Sequence, residues 1–289
     1  MRFIVALALV IPLGLDLYMP VPEENPMTPE KIALGRRLFN DRRLSRDGST
    51  ACATCHDASN AFGDDRPIAV GVFGRIGRRN APAIVNRAWG RAFFWDGRAH
   101  SLEEQVLKPI EDPNEMDLPV AEAATRAGVS VDDLSRALAT YVRSILSGDS
   151  PYDRFVNGDR AALTPEALGG LQVFRGKGNC TACHVGPTFS DERLHNTGVA
   201  WQNGRLADEG GGRGAFKTPT LREVARTAPY MHDGSLATLE DVVRFYDEGG
   251  RVNPDRDPEL RPLQLSIEDK QALIAFLQAL SGFIHDGPS

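Results

Sequence analysis

The sequence predicts a mainly α-helical fold made of two similar halves, with long ordered loops between the helices. Three observations carry this reading. Helix starts with caps are easy to place, alternating strand patterns are almost absent, and one helix–loop–cysteine unit occurs twice. A length of 289 residues suits two domains of about 150 each. With 42% hydrophobic and 25% charged residues the chain can bury a real core, which excludes a disordered or fibrous protein. The net charge of −6 has the wrong sign for a phosphate-backbone binder, and 7% aromatics offer bases no stacking platform. A nucleic-acid partner is excluded; a mildly acidic enzyme or electron-transfer protein fits.

The elements follow in order. Met1 and Arg2 precede an apolar run from Phe3 to Leu13, a short positive start of the kind that directs export. The run is short for a membrane span and is interrupted by Pro12. Residues 1–20 are therefore expected to be a signal peptide or an uncleaved anchor, detached from the fold by Pro20, Pro22 and Pro26.

Thr28-Pro29-Glu30 starts a helix: Thr as N-cap, Pro at the first helical position, an acid in the first turn. Thr164-Pro165-Glu166 repeats that start, and Ala33-Leu34-Gly35 matches Ala167-Leu168-Gly169. Each helix runs through a basic, glycine-containing stretch into a cysteine pair, so the chain is a degenerate internal repeat. Between the copies, Ser130 with Asp133 opens a helix bearing Leu134, Leu138, Tyr141, Val142 and Ile145, expected to stop near Gly148. Ser150-Pro151 marks the crossing. The division is 21–148 for a first domain and 149–264 for a second. A closing helix within 265–283, capped by Ser266 and bearing Leu273, Phe276, Leu277 and Leu280, is expected to pack back onto the first domain. Stretches 57–90 and 185–228 read as long loops.

Cys52-Ala-Thr-Cys55-His56 and Cys180-Thr-Ala-Cys183-His184 use all four cysteines. This is the c-type haem attachment pattern: two thiols add across the vinyl groups of one porphyrin, and the next residue presents an imidazole to the iron. A zinc site has no need of a histidine directly after both pairs, and a thioredoxin-like pair lacks its βαβ context. Two covalent haems follow, giving two cytochrome c-like haem domains. Covalent haem attachment agrees with export to the periplasm. No histidine lies between His56 and Trp95, so the loop over the first haem offers its iron no imidazole and leaves it open to a reactant. That favours a haem enzyme over the rival reading, a non-catalytic diheme electron-transfer subunit with both irons fully ligated.

From Pro22 to Leu280 the chain resembles the bacterial diheme cytochrome c peroxidase family, and within it the MauG-like subgroup. The resemblance rests on Leu34-Gly-Arg-Arg-Leu-Phe39, both CxxCH motifs, Arg79-Asn-Ala-Pro82 and Phe94-Trp-Asp-Gly-Arg98. Asn114-Glu-Met116, His195-Asn-Thr-Gly198, Phe216-Lys-Thr-Pro219 and Thr227-Ala-Pro-Tyr-Met-His-Asp-Gly234 complete it.

What the resemblance implies is a periplasmic peroxidase that reduces hydrogen peroxide to water through high-valent haem iron. Electrons would come from a small redox protein, a c-type cytochrome or cupredoxin, or from an oxidised protein or peptide substrate as in MauG-like oxidases. A homodimer is left open. Glu115 matches the distal acid of the peroxidatic haem, with Gln105 and Pro109 lining its pocket. Trp95 matches the tryptophan between the haems. Asn80, Thr227 and Pro229 match the positions that hold a calcium ion there, a hard cation suited to such oxygens. His195 and His232 read as structural or propionate-side residues. His56 and His184 are the proximal iron ligands. Fourteen residues beyond His232, where ordinary members carry a methionine ligand to the second iron, stands Tyr246, which the MauG-like resemblance implies is the ligand of that iron here. On pattern alone Tyr246 extends the apolar stripe of Leu239, Val242 and Val243.

Overall fold

The computed structural model describes residues 11–287. In the first half, helices α1 (Pro29–Phe39), α2 (Cys52–Cys55), α3 (Leu102–Gln105), α4 (Lys108–Glu111), α5 (Val120–Ala127) and α6 (Val131–Arg143) are linked by long loops. The second half carries α7 (Pro151–Val156), α8 (Pro165–Arg175), α9 (Leu239–Asp247) and α10 (Ile267–Gln278). The strands are short: β1 (Ile145–Gly148), β2 (Leu194–His195), β3 (Trp201–Gln202), β4 (Arg205–Leu206), β5 (Phe216–Lys217) and β6 (Phe283–Asp286). They pair antiparallel as β1–β6, β2–β5 and β3–β4.

The caps are where the sequence puts them. Thr28, Ser130, Thr164 and Ser266 each accept a backbone N–H from the third residue onward. This satisfies donors that the first helical turn would otherwise leave bare.

The internal repeat persists in the packing. Helix α1 lies on α6, and α8 lies on α10. Each crossing needs a glycine: a Cβ on Gly35 would stand 2.0 Å from the Ala137 carbonyl, and one on Gly170 1.8 Å from that of Ala272. Two hydrophobic clusters result. One joins Ile32, Leu38, Phe39, Leu134, Leu138 and Tyr141; the other joins Leu171, Phe174, Phe189, Leu273, Phe276 and Leu277.

Three expectations are corrected here. The closing helix does not return to the first half; α10 is to α8 what α6 is to α1, and it buries its apolar face in the second cluster. What returns is β6, which pairs Phe283–Asp286 with β1. Helix α6 ends at Arg143, and Ile145 belongs to that strand pair rather than to the helix face. Of the expected leader, residues 1–10 lie outside the described residues. Leu13 and Gly14, however, are tied to the body rather than detached: Asp149 N–H donates to the Leu13 carbonyl at 3.0 Å and Arg222 Nη2 to that of Gly14 at 2.9 Å.

Arg222 is the centre of that clasp. Its Nη1 meets Asp153 Oδ2 at 2.5 Å, both side chains are 1% exposed, and its Nε donates to the Pro187 carbonyl at 2.8 Å. Removing the guanidinium strands a buried carboxylate. Arg222→Leu is therefore expected to cost about 3–5 kcal/mol of stability, read as a lower denaturation midpoint of the haem-loaded protein; an unchanged midpoint refutes the clasp.

Candidate functional site

A cavity lies at each CxxCH. The first, about 450 Å³, is lined by Cys52, Cys55 and His56 together with Phe39, Trp95, Gln105, Pro109 and Glu115. Helix α2 turns the two cysteines toward one space. The His56 Nδ1 is 3.1 Å from the Phe62 carbonyl. An N–H donated there fixes the tautomer and leaves Nε2 to face a metal. Among the described residues, His56 is the one histidine lining this cavity.

Glu115 is held by its backbone. Its N–H donates to the Asp112 carbonyl at 3.0 Å, and its own carbonyl accepts Val72 N–H at 2.8 Å, which ties it to the loop around Gly71. Burial, and then the charge of Asp112, raise its carboxyl to about 7, with Arg98 opposing. Gln105 closes α3 and Pro109 sits in the first turn of α4, so both reach the cavity from short rigid helices.

The second cavity, about 230 Å³, is lined by Cys180, Cys183, His184, Tyr246 and Met231. The histidine arrangement repeats: His184 Nδ1 lies 2.8 Å from the Phe189 carbonyl. Burial lowers the His184 pKa to about 4, keeping the imidazole neutral as a metal ligand requires. Tyr246, near the end of α9, faces this cavity, and burial pushes its hydroxyl pKa up.

Trp95, Asn80 and Lys217 line both cavities. The Trp95 indole N–H donates to the Asn80 carbonyl at 2.9 Å, and Asn80 N–H donates to the His232 carbonyl at 2.8 Å. Thr227 and Pro229 border the second cavity beside Asn80. Among the described residues, no hydrogen bond occupies Asn80 Oδ1 or the Thr227 and Pro229 carbonyls, which suits them to a hard cation.

The donor sets fit haem c rather than zinc. The four cysteines are split between two cavities, each pair beside one histidine, rather than gathered into one tetrahedral set as a structural zinc site requires. His232 is stacked on Phe216 with ring centroids 3.7 Å apart. His195 is clamped between Asp257 at 2.5 Å and Asp191 at 2.9 Å.

Two residues gained no role from sequence reasoning. Arg98 stacks 3.6 Å over Phe94 at the rim of the first cavity, and Lys217 is buried where the two cavities meet. The sequence signals for Lys217 were its place in the Phe216-Lys-Thr-Pro219 block and a lysine set beside Phe216, a poor place for a solvated charge.

Comparison with known proteins agrees with this geometry. Residues 29–129 match the family model described as di-haem cytochrome c peroxidase. The chain is 41% identical to the methylamine utilization protein MauG of Methylorubrum extorquens, over 91% of this chain and 81% of that protein. It is 38% identical to the cytochrome-c peroxidase IdrP1 of Denitromonas iodatirespirans, over 96% of this chain and 89% of the relative. Among solved structures, a MauG-like protein associated with microbial copper homeostasis superposes with a TM-score of 0.83 at 34% identity, covering 93% of this chain and 94% of that one. The chain belongs to the bacterial di-haem cytochrome c peroxidase family that includes MauG: it binds two haem c groups and is an oxidoreductase with hydrogen peroxide as electron acceptor.

Proposed function

We propose that peroxide reacts in the first cavity, at the iron held by His56, and that the second cavity, with His184 and Tyr246, stores or passes on oxidising equivalents. The observation that carries this is the wall of the first cavity: Glu115, Gln105 and Pro109 share it with His56, and among the described residues no second histidine lines it. Haem held by Cys52, Cys55 and His56 would supply an iron for peroxide reduction.

The chain's own groups do the rest. Glu115, buried and with its pKa raised toward neutrality, takes the proton from the inner peroxide oxygen and returns it to the outer one, so that water leaves. Gln105 and Pro109 confine the reactant beside it. Trp95, bordering both cavities and oriented by its hydrogen bond to Asn80, is the aromatic relay between them. Asn80, Thr227 and Pro229 hold a calcium ion at that junction, which keeps the two halves in register. Cys52, Cys55, Cys180 and Cys183 carry the haem thioethers.

The division into haem domains 21–148 and 149–264 follows the two clusters, with α10 reassigned to the second. Electrons return from a small redox protein, a c-type cytochrome or cupredoxin. A second reading, oxidation of a protein or peptide substrate, is favoured by Tyr246 at the second cavity and by the similarity to MauG. We place the protein in the periplasm, exported by its amino-terminal segment; no helix among the described residues is long and apolar enough to cross a membrane.

The test is a mixing experiment. The fully oxidised protein is expected to react with peroxide without prior reduction, because residues 57–94 offer the first iron no histidine. No spectral change until an electron is added overturns the open-site reading.

A further inference from the structure

Lys217 is a buried cation with a carboxylate at ion-pair distance but none at hydrogen-bond distance. It is 8% exposed and borders both cavities. An ammonium has three donors, yet among the described residues Nζ makes one hydrogen bond, to the Thr218 carbonyl at 3.0 Å. The nearest carboxylate oxygen, Glu192 Oε1, stands 3.8 Å away, too far for a hydrogen bond. Glu192 is in any case engaged: both its oxygens face Arg87, at 2.8 and 2.9 Å, and it also accepts Arg91 N–H at 3.2 Å. The other charged or titratable neighbours are Asp191, which faces His195, and His184 on the second CxxCH. Burial and then the Arg87 charge lower the ammonium pKa to about 7, which fits a cation awaiting an anion.

We propose that Lys217 anchors a haem propionate at the junction of the two cavities. A porphyrin fixed by thioethers at its former vinyl groups keeps two free propionates on another part of its rim. These are the anions that the two cofactors bring to this cavity system. A Lys–propionate pair is a charge-assisted bond of the kind that leaves no buried charge unpaired. Backbone geometry holds the lysine in place: its N–H donates to the Trp95 carbonyl at 2.7 Å, and β5 pairs with β2. The anchor would thus share its support with the proposed relay tryptophan. The proposal rests on the two-haem assignment and needs neither Glu115 nor Tyr246.

The test uses the haem-loaded protein with Lys217→Met, Lys217→Gln and Lys217→Arg, after a haemochrome assay of haem per chain. Fewer than two haems in the unmodified protein overturns the cofactor assignment and this proposal with it. Spectroelectrochemical titration then follows each haem across the neutral pH range. Removing a paired cation disfavours the reduced form, so the Met and Gln variants should lose at least about tenfold in the reduction equilibrium of one haem, or about 59 mV for one electron. The freed propionate, now in an apolar cavity, should take up a proton near neutrality, so the potential of that haem should rise as pH falls. Lys217→Arg should restore the pH-independent behaviour. The haem that responds, held by His56 or by His184, is the one that supplies the carboxylate. A shift identical at every pH, or no shift, overturns the contact. If the neutral variants do not assemble, Raman spectra of the unmodified protein decide: the propionate bending band should move in deuterium oxide, and an unmoved band counts against the anchor.

Discussion

Glu115→Gln is expected to slow the reaction with hydrogen peroxide by about 10²–10⁴-fold, the usual range for a lost acid–base group. Glutamine keeps the size and polarity of the side chain, and the backbone bonds to Asp112 and Val72 keep the loop in place. Only proton acceptance is lost. The same experiment has a pH signature. With the carboxyl raised to about 7, chiefly by burial, Glu115 is protonated below that pH and cannot accept a proton. The rate should therefore rise with pH through about 7 and level off above it, and this rise should be absent in Glu115→Gln. Stopped-flow mixing of protein with verified haem content measures both. A variant that reacts at near-normal speed, or that keeps the wild-type pH profile, removes Glu115 from the role of distal acid.

Much of this site could be read from local sequence, because its parts are local. A CxxCH places two thiols and an imidazole within one turn, and the Thr-Pro-Glu starts before both motifs are true N-caps. Each haem histidine then finds a carbonyl five or six residues onward, Phe62 for His56 and Phe189 for His184. What local pattern could not show depends on distant partners. Ile145 continues the apolar stripe of its helix, and only pairing of β1 with a strand from the far end of the chain makes it extended. The side on which α10 packs was open to error for the same reason. An amphipathic helix announces a buried face but not its partner, and the partner was decided by close approach at Gly170. Lys217 was passed over because a single lysine carries no pattern; its meaning lies in what surrounds it.

Tyr246→Met should raise the reduction potential of the second haem by an amount on the order of hundreds of millivolts, within the roughly 0.8 V that axial ligands span. A thioether favours the reduced metal, whereas a phenolate, hard and anionic, favours the oxidised one. The placement of the residue is what makes this a strong expectation. Thr238 and Asp241 form a capping box that fixes the start of α9, and the helix buries Leu239, Val243 and Phe245. Tyr246 lies one turn beyond Val242, and both line the cavity that contains His184. Burial opposes ionisation of the Tyr246 hydroxyl. It would become a phenolate only against a cation at bonding distance, and a haem iron held by His184 would be such a cation. The oxidised protein should accordingly lack the weak near-infrared band of a methionine–iron bond, and Tyr246→Met should gain it. Tyr246→Phe completes the test, since it keeps the ring and removes the oxygen. If the tyrosine is a ligand, the second haem turns high-spin and binds cyanide. If the ring only packs against the porphyrin while Met231, which borders the same cavity, holds the iron, the spectrum and potential of Tyr246→Phe stay as they were, and the protein sits with the methionine-ligated peroxidases.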